Sequence, residues 1–203
     1  MRTKIDKLDR IELFNHYNEE TNPFLYITIK IDITSIYNKC KHYYPSIAFF
    51  LHQAIEKIDN FKLRYENGSI YHYDHLKLNF TEKREDDNIA FFNVDYTNNY
   101  KEFMDNYFKA KEHFLNSKDL DVNNDHGEIW YSCVPWFNFS QVLTPFNKSV
   151  TIPQLIWDKF MFENDKVYVN LMIMVHHGFV DGFHLKEFLQ TFEDIVKNID
   201  NYL

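Results

Sequence analysis

Hydrophobic and polar positions along this chain keep two rhythms, and the changes between them divide it into elements. Residues 8–17 (LDRIELFNHY) set Leu8, Ile11 and Phe14 near one face of a helix, with Arg10 beside that stripe. Asn22-Pro23 breaks the pattern. Leu25, Ile27, Ile29, Ile31 and Ile33 then alternate with Tyr26, Thr28, Lys30, Asp32 and Thr34, the period of a strand with one buried face. Residues 35–44 read as a short helix. Pro45 suits the first turn of the next helix, whose apolar face is Ile47, Phe50, Leu51, Ala54, Ile55 and Ile58. Asn67-Gly68, between LRYE and SIYHY, is a two-residue hairpin signal. Residues 76–81 alternate, the charged run 82–87 predicts a solvated loop, and 89–96 resume an apolar segment.

Thr97 is placed to cap a long amphipathic helix carrying Tyr100, Phe103, Met104, Tyr107, Phe108, Phe114 and Leu115. Residues 116–128 are polar, acidic and loop-like. Residues 129–140 (IWYSCVPWFNFS) are aromatic and extended, with Pro135 implying a bulge or an edge. Residues 145–151 form a connector, and 152–161 predict a further strand. A turn at Glu163-Asn164-Asp165 leads into 166–175 (KVYVNLMIMV), apolar enough for a strand buried on both faces. Leu185, Phe188, Leu189, Phe192, Val196 and Ile199 finally mark one face of a helix. The order predicts a mixed α/β fold (an α+β sandwich), with a mixed β-sheet flanked by helices, as a single domain over 1–203.

Composition narrows the function classes. Aromatic residues make up 18% of the 203 positions and hydrophobic residues 45%, ample material for one core and far from a disordered composition. A formal charge of −8 argues against a general nucleic-acid binder, though a local basic patch can still hold an anionic ligand. Cys40 and Cys133 are too few for a disulfide framework or a cysteine-rich zinc site, which fits a reduced compartment. The first ten residues hold no apolar run, and no later stretch reaches the length of a membrane span. A cytoplasmic protein with neither nucleic-acid nor membrane partner is expected.

The chemistry concentrates at HHGFVDGFH, residues 176–184, where the buried strand ends and the last helix begins. Neighbours on a strand point to opposite faces, so one imidazole faces the core and the other a cleft. An imidazole titrates near neutrality and can take a proton from an alcohol or thiol, so the exposed ring is a natural general base. Asp181, four positions after His177, can orient that ring or pair with a cation that fixes the turn. Gly182 relaxes the turn, and Asp181 suits the N-terminal dipole of the helix. The commonest role of a strand-end histidine is a structural hydrogen bond. A zinc site built from His176, His177, His184 and Asp181 lacks the usual spacing, and no metal is expected.

HHxxxDG in this setting resembles the active-site signature of the coenzyme A-dependent acyltransferases. The words KIDIT (30–34), YYP (43–45), FKLR (61–64), SCVPW (132–136) and HHGFVDGFH are similar in order and spacing to the chloramphenicol acetyltransferase family, over about residues 5–196. The resemblance implies acetyl-CoA as co-substrate and a chloramphenicol-like alcohol as acceptor. It implies His177 as general base, Ser132 as donor to the tetrahedral oxyanion, and a buried structural ion pair between Asp181 and Arg10. Tyr17 would line the acceptor pocket with Ile89, Phe91 and Val142. Tyr44, His42, Lys159 and Phe160 would flank the coenzyme A tunnel, with Lys159 as its one basic candidate. It further implies a homotrimer whose sites lie between subunits.

Several positions depart from the family pattern. Ile156 replaces a threonine that holds a water near the oxyanion, Val142 and Ile89 replace phenylalanines of the pocket, and Phe91 is bulkier than the residue expected there. His42 replaces a lysine before YYP, and Gly178 replaces alanine as a minor change. Three readings follow: an O-acetyltransferase acting on chloramphenicol, the same chemistry on another small alcohol or amine, or a trimeric binding homologue without turnover.

Overall fold

The computed structural model describes residues 1–84, 88–115, 125–145 and 147–203. In chain order the elements are β1 (Arg2–Ile5), α1 (Ile11–Glu19), β2 (Phe24–Asp32), α2 (Thr34–Lys39), α3 (Tyr43–Ile55), β3 (Leu63–Glu66), β4 (Ser69–Tyr73), β5 (Lys77–Lys83) and β6 (Ile89–Val94). They continue with α4 (Tyr100–Leu115), β7 (Glu128–Cys133), β8 (Gln154–Trp157), β9 (Met161–Glu163), β10 (Lys166–His176) and α5 (Gly182–Lys197). The large sheet runs β2-β10-β8-β7-β5-β6, with β9 beside the start of β10. β7 is parallel to both β5 and β8, and the other pairs are antiparallel. This is the expected mixed sheet flanked by helices. A second sheet, β1-β4-β3, stands apart from it.

Alternation along the strands sorts the large sheet into two faces. Leu78, Phe80, Ile129, Tyr131, Leu155, Trp157, Leu171, Ile173 and Val175 join the main core with the helices. On the reverse face Phe24, Ile156, Met172 and Met174 form a smaller apolar cluster, against which Val134, Phe139 and Val142 pack. β10 is therefore buried on both sides, which is why its sequence is almost unbroken apolar. α3 is buried along its whole length from Pro45 to Ile55, with α5 and α4 against it. Its one buried imidazole, His52, is satisfied by Tyr131 Oη and the Leu76 carbonyl, both 2.9 Å away. Arg64 of the FKLR word is fully buried and donates four hydrogen bonds to carbonyls, those of His126, Phe61, Leu63 and Glu128. It thereby ties the start of β7 to the turn before β3. Asn67 and Gly68 both take positive φ, 49° and 80°, as a two-residue hairpin requires.

Several expectations need correction. RTKI carries no apolar rhythm, yet it forms β1, held through its antiparallel register with β4. The stretch 152–161 is two strands, not one. The buried Asp158 carboxylate accepts from the Asn170 and Phe139 amides (2.8 and 3.1 Å) and interrupts the ladder. The stretch 129–140 is strand only to Cys133, and Pro135 lies in the turn beyond an interior strand rather than at a bulge or edge. α4 is capped by Asn99, whose Oδ1 accepts from Glu102 N (2.9 Å); Thr97 instead accepts from Asn99 N (3.2 Å). Glu82 and Lys83, expected in a loop, continue β5, while 85–87 of that run lie outside the described residues, as do 116–124 of the acidic stretch and position 146 of the connector. Among the described residues no helix is long and apolar enough to cross a membrane.

Candidate active site

The two adjacent imidazoles part at the end of β10. His176 is the last paired residue, opposite Phe24, and the His177 amide donates to the Pro23 carbonyl at 2.8 Å. The His176 ring is 2% exposed and sits among Phe14, Phe24 and Phe179. Gly178 N–H donates to its Nδ1 (3.2 Å), so the ring is neutral with its proton on Nε2. Burial, helped by the neighbouring His177, pushes its pKa down to about 4.

The His177 ring is half-buried and stacks on Tyr17, centroids 4.1 Å apart and planes 23° from parallel. Its Nδ1 lies 3.3 Å from the Val180 carbonyl. A carbonyl only accepts, so that contact places the proton on Nδ1 and leaves the Nε2 lone pair bare. The close approach of α1 behind this turn depends on Gly178. A Cβ there would stand 2.8 Å from the Phe14 Cα, so alanine would force α1 or the turn to shift and is not a minor exchange. Gly182, by contrast, has open space around it.

Of the two roles open to Asp181, the structure shows the pairing with a cation. Arg10 Nη2 donates to its Oδ2 at 2.6 Å, and Arg10 Nη1 to the Phe179 carbonyl at 3.3 Å. Asp181 also caps α5: its Oδ1 accepts from Phe183 N (2.9 Å) and His184 N (3.4 Å), and His184 Nδ1 accepts from Asp181 N. Burial would raise this carboxyl; His184, Arg10 and the two amides outweigh it and hold the pKa below its ordinary value. The pair is partly exposed rather than buried as the resemblance implies, because the Arg10 and Asp181 side chains keep 20% and 30% of their exposure. The four groups of the zinc reading do not converge, because His176 faces the aromatic core while His184 turns to Asp181 and Arg10.

Two cavities flank the point where β5 and β7 separate. The first, about 450 Å³ on the helix-free face, is lined by Ser132, Ile89 and Phe91 together with Ile156. Val142 is not at its wall; it packs against the Ile156 cluster beside it. Tyr17 lies elsewhere, on His177. The second cavity, about 690 Å³, is lined by His42, Tyr44, Lys159 and Phe160 among others. It adds Lys83 and Lys111, so Lys159 is not its one basic group. Lys111 and the Tyr107 hydroxyl both donate to Glu82 Oε1, at 2.7 and 2.6 Å. Continuing the alternation of 76–81 by one more pair would have placed Glu82 and Lys83 on β5.

Thr81 borders both cavities. The Tyr44 hydroxyl lies 3.0 Å from the Thr81 and Tyr131 carbonyls, just where the β5–β7 ladder stops at Phe80 and Tyr131. Ser132 stands at that parting, and Cys133 lines the second cavity. Glu128, assigned to a polar loop from sequence, is instead the buried first residue of β7 on the wall of the first cavity.

His177 is far from this parting within one chain. Met172, Ile156 and Ser132 are in register across three strands. Two strand spacings and five further residues along β10 separate Ser132 from His177, roughly 19 Å. The second cavity has aromatic walls for an apolar chain and several amines for phosphates, so its residues suit coenzyme A.

The family model for chloramphenicol acetyltransferase matches residues 1–193. The chain is 29% identical, over a 215-position alignment, to a chloramphenicol acetyltransferase of Staphylococcus intermedius, spanning 98% of this chain and 97% of that one. A chloramphenicol acetyltransferase of Campylobacter coli is 27% identical, with 96% and 98% covered. Among solved structures, a chloramphenicol acetyltransferase superposes with a TM-score of 0.87 at 22% identity, over 97% of this chain and all of that one. A truncated catalytic core of the 2-oxoacid dehydrogenase multienzyme complex from Thermoplasma acidophilum shares the fold at a TM-score of 0.66 and 14% identity, with 97% of each chain covered. The match of a family model over nearly the whole length shows that this chain belongs to the chloramphenicol acetyltransferase family.

Proposed function

We propose that the chain is an acetyl-CoA-dependent O-acetyltransferase whose acceptor is a hydroxyl of chloramphenicol or a similar amphipathic alcohol, with residues 1–203 acting as one domain in the cytoplasm. The observation that carries the reading is the His177 ring, tied at Nδ1, stacked on Tyr17 and bare at Nε2. His177 Nε2 takes the proton of the acceptor hydroxyl as its oxygen attacks the thioester carbonyl. Ser132 donates to the oxyanion of the tetrahedral intermediate, a contribution of about 3 kcal/mol for one well-placed donor. His177 then returns its proton to the sulfur as the carbon–sulfur bond breaks, so no acyl-enzyme forms. Tyr44 and Phe160 flank the thioester end of the second cavity, and His42, Lys83 and Lys159 suit its phosphates.

The separation of His177 from Ser132 favours a site shared between chains, in which each base serves the neighbouring chain's serine and acceptor cavity, and the family resemblance makes that assembly a homotrimer. Arg10 and Asp181 act as architecture for the turn that presents His177. A second reading, the same chemistry on a different acceptor, is favoured by the cavity itself, where Ile89, Phe91 and Ile156 are joined by an acidic side chain at Glu128. Release of free thiol from acetyl-CoA, followed with and without chloramphenicol, tests the proposal. Chloramphenicol-dependent release that His177→Ala abolishes without unfolding is expected. Release with other alcohols and none with chloramphenicol would leave only the second reading.

A further inference from the structure

Within the first cavity, the side chains of Ser132, Trp130 and Glu128 follow one another along the same face of β7. Glu128 lies four positions from Ser132, roughly 13 Å along the strand. It is 1% exposed, and its two oxygens are not equivalent. Oε1 accepts from Trp130 Nε1 at 2.5 Å, whereas Oε2 is buried with no hydrogen-bond partner among the described residues. Among the described residues lining this cavity there is no Lys, Arg or His to answer the carboxylate.

The charged groups packed nearby are committed elsewhere. Arg64 holds the Glu128 backbone carbonyl (2.7 Å) and three further carbonyls, and Lys77 is paired with Asp125 (3.0 Å), whose own charge opposes that of Glu128. Burial pushes the Glu128 pKa up to about 7, against the pull of Trp130 and of the Asn93 and Asn79 amides. An unanswered acidic oxygen in a cavity otherwise walled by Ile89, Phe91, Trp130 and Ile156 is a mismatch for a wholly neutral, apolar guest.

We infer that this cavity takes an acceptor carrying a protonated amine at the end remote from the hydroxyl to be acetylated, and that Glu128 is the residue that selects it. The ammonium donates to Oε2, the apolar body lies against Phe91 and Trp130, and the hydroxyl reaches the Ser132 end. The inference rests on the acetyltransferase reading, and it extends the acceptor range beyond chloramphenicol to amphipathic amino alcohols.

The test uses three aryl propanediols that differ only in the para group: aminomethyl, hydroxymethyl and methyl. Thiol release from acetyl-CoA gives kcat/KM for each, and calorimetry gives each Kd, with wild type and Glu128→Gln at about pH 6 and pH 8. The aminomethyl compound is cationic throughout that range. Wild type is expected to prefer it over the methyl compound by about tenfold or more at the higher pH, the size of one charge-assisted hydrogen bond. That ratio falls at the lower pH as the carboxyl takes a proton, and it drops to about one in Glu128→Gln. Any dependence on the base cancels in the ratio, and the pH arm needs only wild type should the variant fail to fold. A wild-type ratio near one at the higher pH, a ratio unchanged by Glu128→Gln, or a hydroxymethyl compound preferred as strongly as the amine would overturn the inference. Absence of thiol release with all three counts against the acetyltransferase reading, and the calorimetric ratios then decide the role of Glu128 by themselves.

Discussion

The ring of Tyr17, on α1, lies stacked on that of His177, at the exit of β10, with centroids 4.1 Å apart. Stacking constrains the plane of the imidazole, and the Val180 carbonyl constrains its rotation within that plane. Offset aromatic pairs of this kind contribute about 0.5–1.5 kcal/mol beyond their burial. Tyr17→Ala is therefore expected to lower kcat roughly three- to tenfold, while Tyr17→Phe keeps the stack and the rate. A loss confined to KM would instead give Tyr17 a role in holding the acceptor.

Gly178→Ala tests the backbone approach behind the same turn. Its Cβ would meet the Phe14 Cα at 2.8 Å and the His176 ring at 3.0 Å, so α1 must move or the turn must open. Destabilisation of about 1–3 kcal/mol is expected in urea unfolding, as for overpacking of a filled core. Wild-type stability with an unshifted rate would mean that α1 does not sit this close.

Asp181 carries two separable duties, the cap of α5 and the pair with Arg10. Asparagine caps a helix as well as aspartate does, so Asp181→Asn removes only the pair. Because both side chains are partly exposed, solvent screens that loss to about 1 kcal/mol or less. Asp181→Ala removes the cap as well and is expected to cost about 2 kcal/mol in all. Equal losses in the two variants would show that the charge alone matters.

Two buried groups set opposing slopes of stability against pH. Glu128, raised to about 7 from its ordinary 4.5, favours the folded state fully at low pH, and that contribution is lost as pH rises through 7. His176, lowered to about 4 from 6.5, favours the folded state above 6.5, and that contribution is lost as pH falls through 4. In the window between they largely cancel. Glu128→Gln removes one slope, so its stability relative to wild type should improve by up to about 3 kcal/mol between pH 4.5 and pH 8. A constant offset across that range would show that Glu128 titrates as an exposed acid.

Much of the architecture was legible because local chemistry and tertiary placement agree. β10 reads as doubly buried because it is, with Leu171 and Ile173 in the main core and Met172 and Met174 in the cluster behind. The period-two rule separates the His176 and His177 rings, and packing against Phe14, Phe24 and Phe179 makes His176 the buried one. β1 stayed hidden because an exposed edge strand needs no apolar rhythm, only a partner to pair with. Glu128 was hidden by its acidic flank: a carboxylate at the end of a polar stretch reads as solvated, and only the fold reveals that Arg64 anchors its backbone inside. The stacking of Tyr17 on His177 joins residues 160 positions apart and leaves no trace in either local pattern.

The central claim is that His177 of one chain serves Ser132 of another, and mixing two inactive variants tests it most directly. His177→Ala and Ser132→Ala chains are each expected to be nearly inactive alone. Unfolded together in equal amounts and refolded, they should regain about one quarter of wild-type thiol release, because one contact in four then joins an intact imidazole to an intact hydroxyl. Activity no greater than the sum of the two separate variants, in assemblies shown to contain both chains, would contradict the account and place base and serine within a single subunit.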